Sequence, residues 1–363
     1  MRAAWALLRV LLVALVCVAS GTLECGGKVM TGPEARGAVL YQRMCAVCHG
    51  AEAQGYLADN APAIGNPHFL AVATDRFIET AIGNGRTSTT MSAWSNLRGG
   101  PLGYQDISTL VAYLRTFAPP PPPSPVLPAT KPDDGPAKGD SRRGTALFNA
   151  RCESCHGERG AAGPYVHIGN VDLLASVDNS LLRETIRDGR GGTLMPAFGR
   201  ELGAGGVEDL VTALRTWQAE APRAVVKPPT KPPPLPLGPV PLNPKGPEPE
   251  GFRAQPATTP ADIVKRELDR GAKLALLDAR AQSDYLNEHI KGAVSVPFFD
   301  PGPYFAKLPT DAWLVCYCAC PHAESGQLAR TLEGKGFTKV TVLDEGLGVW
   351  RTRKYGTSSG PDP

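Results

Sequence analysis

The sequence of 363 residues has little net charge and no long apolar run, and these two absences narrow its function. The formal net charge at pH 7 is only +3 and no basic cluster occurs, so nothing favours a nucleic-acid partner. The most apolar stretch, residues 10–19, is too short and too closely preceded by Arg9 for a comfortable transmembrane span. Membrane attachment is therefore expected only if the N-terminus is retained as an anchor or carries lipid.

The N-terminus has the features of a secretory signal peptide over residues 1–20. Arg2 and Arg9 precede the apolar stretch, which ends in small residues of the kind that signal peptidase recognises. We therefore expect an exported, periplasmic protein. A lipid on Cys25 is the alternative route to the membrane, although Glu24 directly before it matches the lipidation pattern poorly.

Proline is concentrated in two segments that divide the chain. Residues 119–136 contain nine prolines and residues 222–249 contain twelve, out of 36 in the chain. Such segments favour extended polyproline II and form neither helix nor sheet, so they predict spacers; docking of a proline-binding module is the alternative. Spacers of this kind need not hold the domains in one geometry. The expected linkers are residues 119–139 and 220–254. The expected folded units are residues 33–118, 140–219 and 255–356.

A pentapeptide of the form C-x-x-C-H occurs twice, 107 residues apart. This is the attachment signature of c-type haem, in which both thiols bond to the porphyrin and the histidine ligates iron. One copy alone fits chance or a redox pair, but two copies predict two covalently bound haem c groups. The residues concerned are Cys45, Cys48 and His49, and Cys152, Cys155 and His156.

The surroundings of the two motifs are also repeated. Residues 36–41 (RGAVLY) match residues 143–148 (RGTALF), and residues 110–117 match residues 210–217. Apolar residues recur at helical spacing in these segments and no strand pattern lies between them. The sequence therefore predicts an all-α unit that is present twice.

Two methionines occupy matching places and are the expected sixth ligands of the irons. Met91 lies 42 residues after His49, and Met195 lies 39 residues after His156. A thioether ligand raises the reduction potential, as an electron carrier needs. Packing of both methionines in the core is the alternative. The rival ligands in these units, at places that are not equivalent, are His68 and His167.

Residues 33–118 and 140–219 each resemble a class I cytochrome c domain. The resemblance implies that an N-terminal helix crosses a C-terminal helix, so that Gly37 and Tyr41 meet the helix at 110–117. By the same resemblance, Gly144 and Phe148 meet the helix at 210–217.

The cytochrome resemblance also implies electron transfer with redox partner proteins, since two protein ligands leave no open position on the iron. The sequence departs from the family at Ser92, which replaces the proline that often follows the axial methionine. Pro196, after Met195, keeps that proline.

Residues 255–356 have a different character, with strands alternating with helices. Short buried strands are expected at 274–278, 313–317 and 340–343, and helices at 260–270 and 325–334, the first capped by Thr258-Thr259. This order predicts a parallel sheet with its functional edge at the carboxyl ends of the strands.

Residues 277–280 (LDAR), 289–297 (HIKGAVSVP) and 343–346 (LDEG) resemble the flanking signatures of the rhodanese (sulfurtransferase) family. The resemblance spans the whole unit and implies that Cys318 is the catalytic residue. Its thiolate would be stabilised by backbone N–H groups of the following loop and would carry a persulfide in a two-step transfer.

The loop at 318–325 departs from the rhodanese family. It is one residue longer than usual, and Glu324 stands where a cation is common, which weakens attraction for thiosulfate. Cys320 is placed to resolve a persulfide on Cys318. Polysulfide, persulfide or disulfide chemistry is therefore an equal alternative to thiosulfate chemistry.

Other uses of these residues remain open. Cys316 is expected to be a buried apolar residue, His289 to shape a turn, and a zinc site formed by Cys316, Cys318, Cys320 and His322 is an alternative.

Two functions compete. The first is an exported dihaem electron carrier coupled to sulfur chemistry at Cys318, and the second is an electron-transfer subunit of a respiratory complex in which the third unit only binds.

Overall fold

The computed structural model describes residues 23–25, 28–58, 60–86, 89–118, 135–161, 163–221, 240, 243–253, 258–319 and 322–363. The expected signal peptide, most of both proline-rich linkers and Cys320 lie outside these residues. The described chain begins with an antiparallel pair of strands, β1 (Leu23–Cys25) and β2 (Lys28–Met30). Within the described ranges, no helix combines the length and apolarity needed to cross a membrane.

The first helical unit follows this hairpin, and its described residues contain five α-helices besides a 3-10 turn at Asn96–Arg98. They are α1 Pro33–Met44, α2 Ala46–His49, α3 Pro67–Val72, α4 Asp75–Asn84 and α5 Tyr104–Arg115. Short polar side chains begin two of them: Asn66 accepts a hydrogen bond from the backbone of Phe69, and Thr74 from that of Phe77, both at 3.1 Å. Such caps satisfy N–H groups that have no partner inside the helix.

The second helical unit repeats this order. Its helices are α6 Ser141–Arg151, α7 Glu153–His156, α8 Val171–Ser176, α9 Asn179–Asp188 and α10 Gly199–Glu220, the last interrupted at Gly203. Asn170 and Asp178 cap α8 and α9 as Asn66 and Thr74 cap α3 and α4. The prediction of a duplicated all-α unit is confirmed.

The first and last helices of each unit cross at a glycine. A Cβ on Gly37 would lie 2.0 Å from the carbonyl oxygen of Thr109, and one on Gly144 would lie 1.9 Å from that of Asp209. The aromatic rings beside the crossings pack together, with Tyr41 and Tyr113 5.2 Å apart. Each crossing therefore requires a residue without a side chain, because backbone meets backbone.

The α/β unit contains a five-stranded parallel sheet in the order β3-β8-β7-β4-β6. Its strands are β3 Thr258–Thr259, β4 Leu274–Asp278, β6 Val294–Ser295, β7 Trp313–Tyr317 and β8 Val340–Leu343, and β5 His289–Ile290 pairs separately with β9 Thr357–Ser358. Its helices are α11 Ala261–Asp269, α12 Gln282–Asn287, α13 Ala323–Gly334 and α14 Gly346–Thr352.

Alternate residues of β4 face opposite layers of this unit. Leu274 and Leu276 pack with side chains of α11 and α14, whereas Ala275 and Leu277 pack with side chains of α13. The prediction of an α/β unit with a parallel sheet is confirmed.

One local prediction in this unit is wrong. Thr258 and Thr259 do not cap the following helix but form strand β3, paired with β8. The Thr259 hydroxyl lies 2.8 Å from that of Thr341, so it is already satisfied within the sheet. Pro260 precedes α11 instead and makes no side-chain cap.

The two helical units pack against each other, contrary to the expectation of loosely spaced domains. Asn66 donates a hydrogen bond to the carbonyl oxygen of Gly191 at 2.7 Å. The rings of Tyr56 and Tyr165, which follow the first and second C-x-x-C-H motifs, lie 5.7 Å apart. The contact joins the segments that follow the two motifs.

Candidate functional site

Each C-x-x-C-H motif lies at the end of the first long helix of its unit. Cys45 ends α1, and the next turn, α2, brings His49 back so that its N–H donates to the Cys45 carbonyl at 2.9 Å. The same bond joins His156 to Cys152 at 2.9 Å. Two cysteines and a histidine thus share one short turn in each unit.

The two histidines are held in the same way. Nδ1 of His49 lies 2.9 Å from the carbonyl oxygen of Pro62, and Nδ1 of His156 lies 2.9 Å from that of Val166. These contacts orient the rings and leave Nε2 of each for a metal. Burial lowers the pKa of both imidazoles, which favours the neutral form that ligates iron.

The two methionine loops form the same turn. The N–H of Arg86 donates to the carbonyl of Met91, and that of Arg190 to the carbonyl of Met195, both at 2.9 Å. The threonine two residues before each methionine accepts from the methionine N–H at 3.1 Å. Met91 and Met195 therefore match in backbone geometry as well as in sequence spacing. Their role as iron ligands stays a prediction.

A glycine in each unit makes room for the methionine turn. Gly85 has φ 65°, and a Cβ there would lie 2.5 Å from the carbonyl oxygen of Met91. Gly189 has φ 68°, and its Cβ would lie 2.7 Å from that of Met195. Only glycine combines this left-handed backbone with so close an approach.

The residues of both units fit haem c. Each unit offers two thiols, a neutral imidazole with a free Nε2 and a thioether, which is the donor set of a covalently attached, six-coordinate haem. Burial raises the pKa of Cys45 to about 12 and that of Cys152 to about 11, so both remain thiols before attachment. Burial also lowers the pKa of Arg86 and that of Arg190, the latter to about 10. Both arginines are half-buried, and cations in such places suit the propionates of a haem.

Cys318 follows β7 directly and lies at the carboxyl edge of the sheet. Its side chain is fully buried, and Sγ lies 3.2 Å from Oγ of Ser325 on α13. Cys316, two residues earlier in β7, is also fully buried, and burial raises its pKa. Cys320, the other expected catalytic residue, lies outside the described residues, as does the zinc site that would depend on it.

Glu324 lies beside Cys318 but differs from what the sequence suggested. Its side chain is only 8 % exposed, and burial raises its pKa well above the usual range, with negative neighbours such as Cys318 adding to the effect. The charged form of this carboxyl group is therefore disfavoured, since burial removes the water that would stabilise it. Glu324 places no cation beside the thiol.

Arg280, a cation that acts electrostatically on Glu324, is already bound. The Arg280 guanidinium donates to both oxygens of Asp278, at 2.9 and 2.6 Å, and to the carbonyl of Glu288 at 2.6 Å. The Tyr317 hydroxyl donates to the same carboxylate at 2.7 Å. These buried groups support the strand that carries Cys318.

The two histidines of the α/β unit have structural partners. His289 is fully buried, stacks on Tyr285 at 3.9 Å and contacts its carbonyl oxygen at 2.8 Å. His322 stands just before α13 with φ 72°, and its Nε2 lies 2.9 Å from Oδ1 of Asp344.

The first helical unit packs on the α/β unit through the loop that carries Met91 and through α1, the helix before the C-x-x-C-H motif. Oγ of Ser92 donates to Oδ2 of Asp284 at 2.6 Å, and the Trp94 ring lies 5.4 Å from that of Phe299. Arg43 Nε donates to the Phe299 carbonyl at 2.7 Å. Helix α13, which follows Cys318, also contacts α2.

This interface was missed by the reasoning from sequence. The signal that could have found it is the serine after Met91, where the second unit has a proline after Met195.

Two family models match the chain. The model for cytochrome C oxidase, cbb3-type, subunit III matches residues 32–114 and again 139–212. The model for the rhodanese-like domain matches residues 260–353.

Curated relatives match different parts of the chain. The cbb3-type cytochrome c oxidase subunit FixP of Azorhizobium caulinodans is 28% identical over 202 residues, which is 53% of this chain and 63% of FixP. A probable adenylyltransferase/sulfurtransferase, MoeZ of Mycobacterium tuberculosis, is 33% identical over 103 residues, covering 27% of this chain and 26% of MoeZ. The chain thus spans less than two thirds of either relative.

Two solved structures are similar to parts of this chain. A rhodanese-like domain from Anabaena sp. is 26% identical, with a TM-score of 0.27, and the match covers 29% of this chain and 80% of that one. A chain of the reducing HAO-like protein complex of Kuenenia stuttgartiensis is 20% identical, with a TM-score of 0.33, covering 50% of this chain and 95% of that one.

Proposed function

From the premise that the chain carries two cytochrome c domains followed by a rhodanese-like domain, we propose that it is an exported dihaem electron carrier coupled to sulfur chemistry at Cys318. The observation that carries this proposal is the packing of α13, the helix after Cys318, against α2 of the first cytochrome c domain. A sulfur site and a haem motif are thereby neighbours in one chain.

The haem-binding residues are those of the two matching turns. Cys45 and Cys48 would form the thioether bonds of the first haem, with His49 and Met91 as its ligands. The second haem would be held by Cys152, Cys155, His156 and Met195. Haem c, when bound, supplies a one-electron couple whose potential is raised by the thioether ligand.

The sulfur step that fits two one-electron acceptors is the oxidation of hydrosulfide. The Cys318 thiolate and HS⁻ form an S–S bond, the S–H bond breaks and its proton leaves to water. The two electrons released would be accepted one at a time by haem c bound in the cytochrome c domains. The outer sulfur of the Cys318 persulfide then passes to an acceptor thiolate, which restores the Cys318 thiolate and yields a new persulfide. Ser325, 3.2 Å from Sγ, is placed to hydrogen-bond the reacting sulfur.

A second function has one observation in its favour. The similarity to FixP, a cbb3-type oxidase subunit, suggests an electron-transfer subunit of a respiratory complex. In that case the rhodanese-like domain would serve only as a binding module.

Anaerobic reduction of the haems by sulfide separates the two functions. The full chain should be reduced by sulfide, and Cys318→Ser should lose this reduction while dithionite still reduces both haems. Cys316→Ala is the matched control, because it removes the neighbouring buried thiol and leaves Cys318 in place. Sulfide-dependent reduction that survives unchanged in Cys318→Ser would favour the respiratory subunit.

A further inference from the structure

The two cytochrome c domains differ at three positions whose side chains contact the rhodanese-like domain in the first of them. Alignment on the motifs and on the axial methionines pairs Arg43 with an alanine, Ser92 with a proline and Trp94 with a phenylalanine. The residues in the second domain are Ala150, Pro196 and Phe198.

Two of these differences remove the contact outright. Arg43 donates to the Phe299 carbonyl and pairs with Asp300 at 3.0 Å, and alanine has neither charge nor donor. Ser92 donates to Asp284 at 2.6 Å, and proline has no hydroxyl. The second domain therefore lacks the groups with which the first binds the rhodanese-like domain.

Two residues of the first methionine loop are also more buried than their counterparts in the second domain. Ser92 and Trp94 are 4 % and 5 % exposed beneath the rhodanese-like domain. Their counterparts in the second domain are more open, since Pro196 is exposed and Phe198 is half-buried. Leu194 in the same loop is 77 % exposed, as its counterpart Thr90 is also exposed.

The interface is continuous with the surroundings of Cys318. Asp284, the acceptor for Ser92, interacts electrostatically with Arg280 and with Glu324, and Glu324 in turn interacts with Cys318. The Ser92 hydroxyl is thus hydrogen-bonded to a carboxyl group that acts electrostatically on Glu324, the residue beside the thiol.

We propose that the rhodanese-like domain is a built-in docking partner that covers the methionine side of the first cytochrome c domain. The first domain is then the internal electron acceptor, and the second exchanges electrons with external redox proteins through its open loop around Leu194. The docking rests on the contacts alone, whereas the order in which the two domains receive electrons also rests on the proposed function.

The docking is tested by hydrogen exchange on the haem-loaded full chain. Residues 282–287 and 298–300 should be protected, and the double variant Arg43→Ala/Ser92→Ala should expose both segments together. Ala150→Arg is the control, since it adds an arginine at the matching exposed position of the second domain. Equal exchange in the double variant and the unaltered chain would overturn the docking.

The electron order is tested by the rate of haem reduction with sulfide. The double variant should be reduced at least tenfold more slowly, with unchanged reduction by dithionite. Loss of protection without loss of rate would overturn the internal route. If sulfide reduces neither protein, the proposed function fails, while the hydrogen-exchange result still decides the docking.

The role of the second domain in passing electrons to external proteins is tested with oxidised mitochondrial cytochrome c as electron acceptor. Leu194→Glu should slow its reduction by the fully reduced chain at least fivefold. Leu97→Glu, at a half-exposed leucine of the first domain, should not. Equal slowing by both variants would overturn the assignment of the second domain as the exit.

Discussion

The crossing of α6 and α10 provides a quantitative test of the cytochrome c fold. In Gly144→Ala the new Cβ would lie 1.9 Å from the Asp209 carbonyl oxygen and 2.9 Å from Cβ of Ala213. Because the nearest atom is backbone, the helices must separate, and overpacking of this kind costs about 3 kcal/mol at the upper end of its usual range. Alanine recovers about 1 kcal/mol of helix propensity. The expected net loss is about 2 kcal/mol, or roughly 30-fold in the unfolding equilibrium.

The matched control is Gly205→Ala in the same helix α10. Nothing lies within 4 Å of a Cβ at Gly205, so only the propensity gain of about 1 kcal/mol should remain. Hydrogen exchange of α6 and α10 in guanidinium chloride measures both variants, since a chain of three domains does not unfold in one step. Stabilisation by both alanines would refute the close backbone crossing.

Three further predictions concern the candidate sites. Met91→Ala and Met195→Ala should each remove half of the absorption band of methionine-ligated ferric haem, and an unchanged band in either would exclude that ligand. Gly189→Ala should weaken the same band, because its Cβ enters the Met195 turn, whereas Gly192→Ala, with φ 77° but open space, should only destabilise the chain by about 1–2 kcal/mol. Glu324→Gln should flatten the fall in stability as pH rises above 4.5, because a carboxyl whose folded pKa is raised binds its proton more tightly in the folded state. A denaturation series from pH 4 to pH 8 with an identical slope in the variant would contradict this.

Much of the fold could be predicted because its signals are local. The three central strands begin and end where the buried apolar runs 274–278, 313–317 and 340–343 do. The helix crossings at Gly37 and Gly144 were implied by the resemblance of the repeated unit to class I cytochrome c. Thr258-Thr259 was misassigned because its partner, β8, is distant in sequence, so pairing in the sheet overrode a local cap.

The candidate site could be predicted less well than the fold, for two physical reasons. The charge of Glu324 depends on burial by several elements, and sequence shows only that it is a carboxyl. The bond between Ser92 and Asp284 joins residues 192 positions apart in different domains, so neither residue alone indicates it.

The interface with the rhodanese-like domain is small enough to depend on its covalent connection. A neutral-to-charged hydrogen bond contributes about 1.5–3 kcal/mol, the aromatic pair about 0.5–1.5 kcal/mol and an exposed ion pair such as Arg43–Asp300 at most about 1 kcal/mol. Together these contacts contribute about 2–5.5 kcal/mol, which reaches only the lower end of the cost of associating two free proteins, about 4–15 kcal/mol. The covalent connection through residues 220–254 removes most of that cost, since tethering of two domains gives an effective concentration on the order of 1 mM.

Cleavage at a protease site placed within residues 222–239 tests this dependence. At about 10 µM the cleaved chain would have roughly 100-fold less local concentration of its rhodanese-like domain than the tethered chain. Sulfide-dependent haem reduction should then become slow and proportional to protein concentration, while the uncleaved chain keeps a rate independent of concentration. A cleaved chain that stays fast on dilution would show that the contacts of Arg43, Ser92 and Trp94 bind far more tightly than their number and exposure allow.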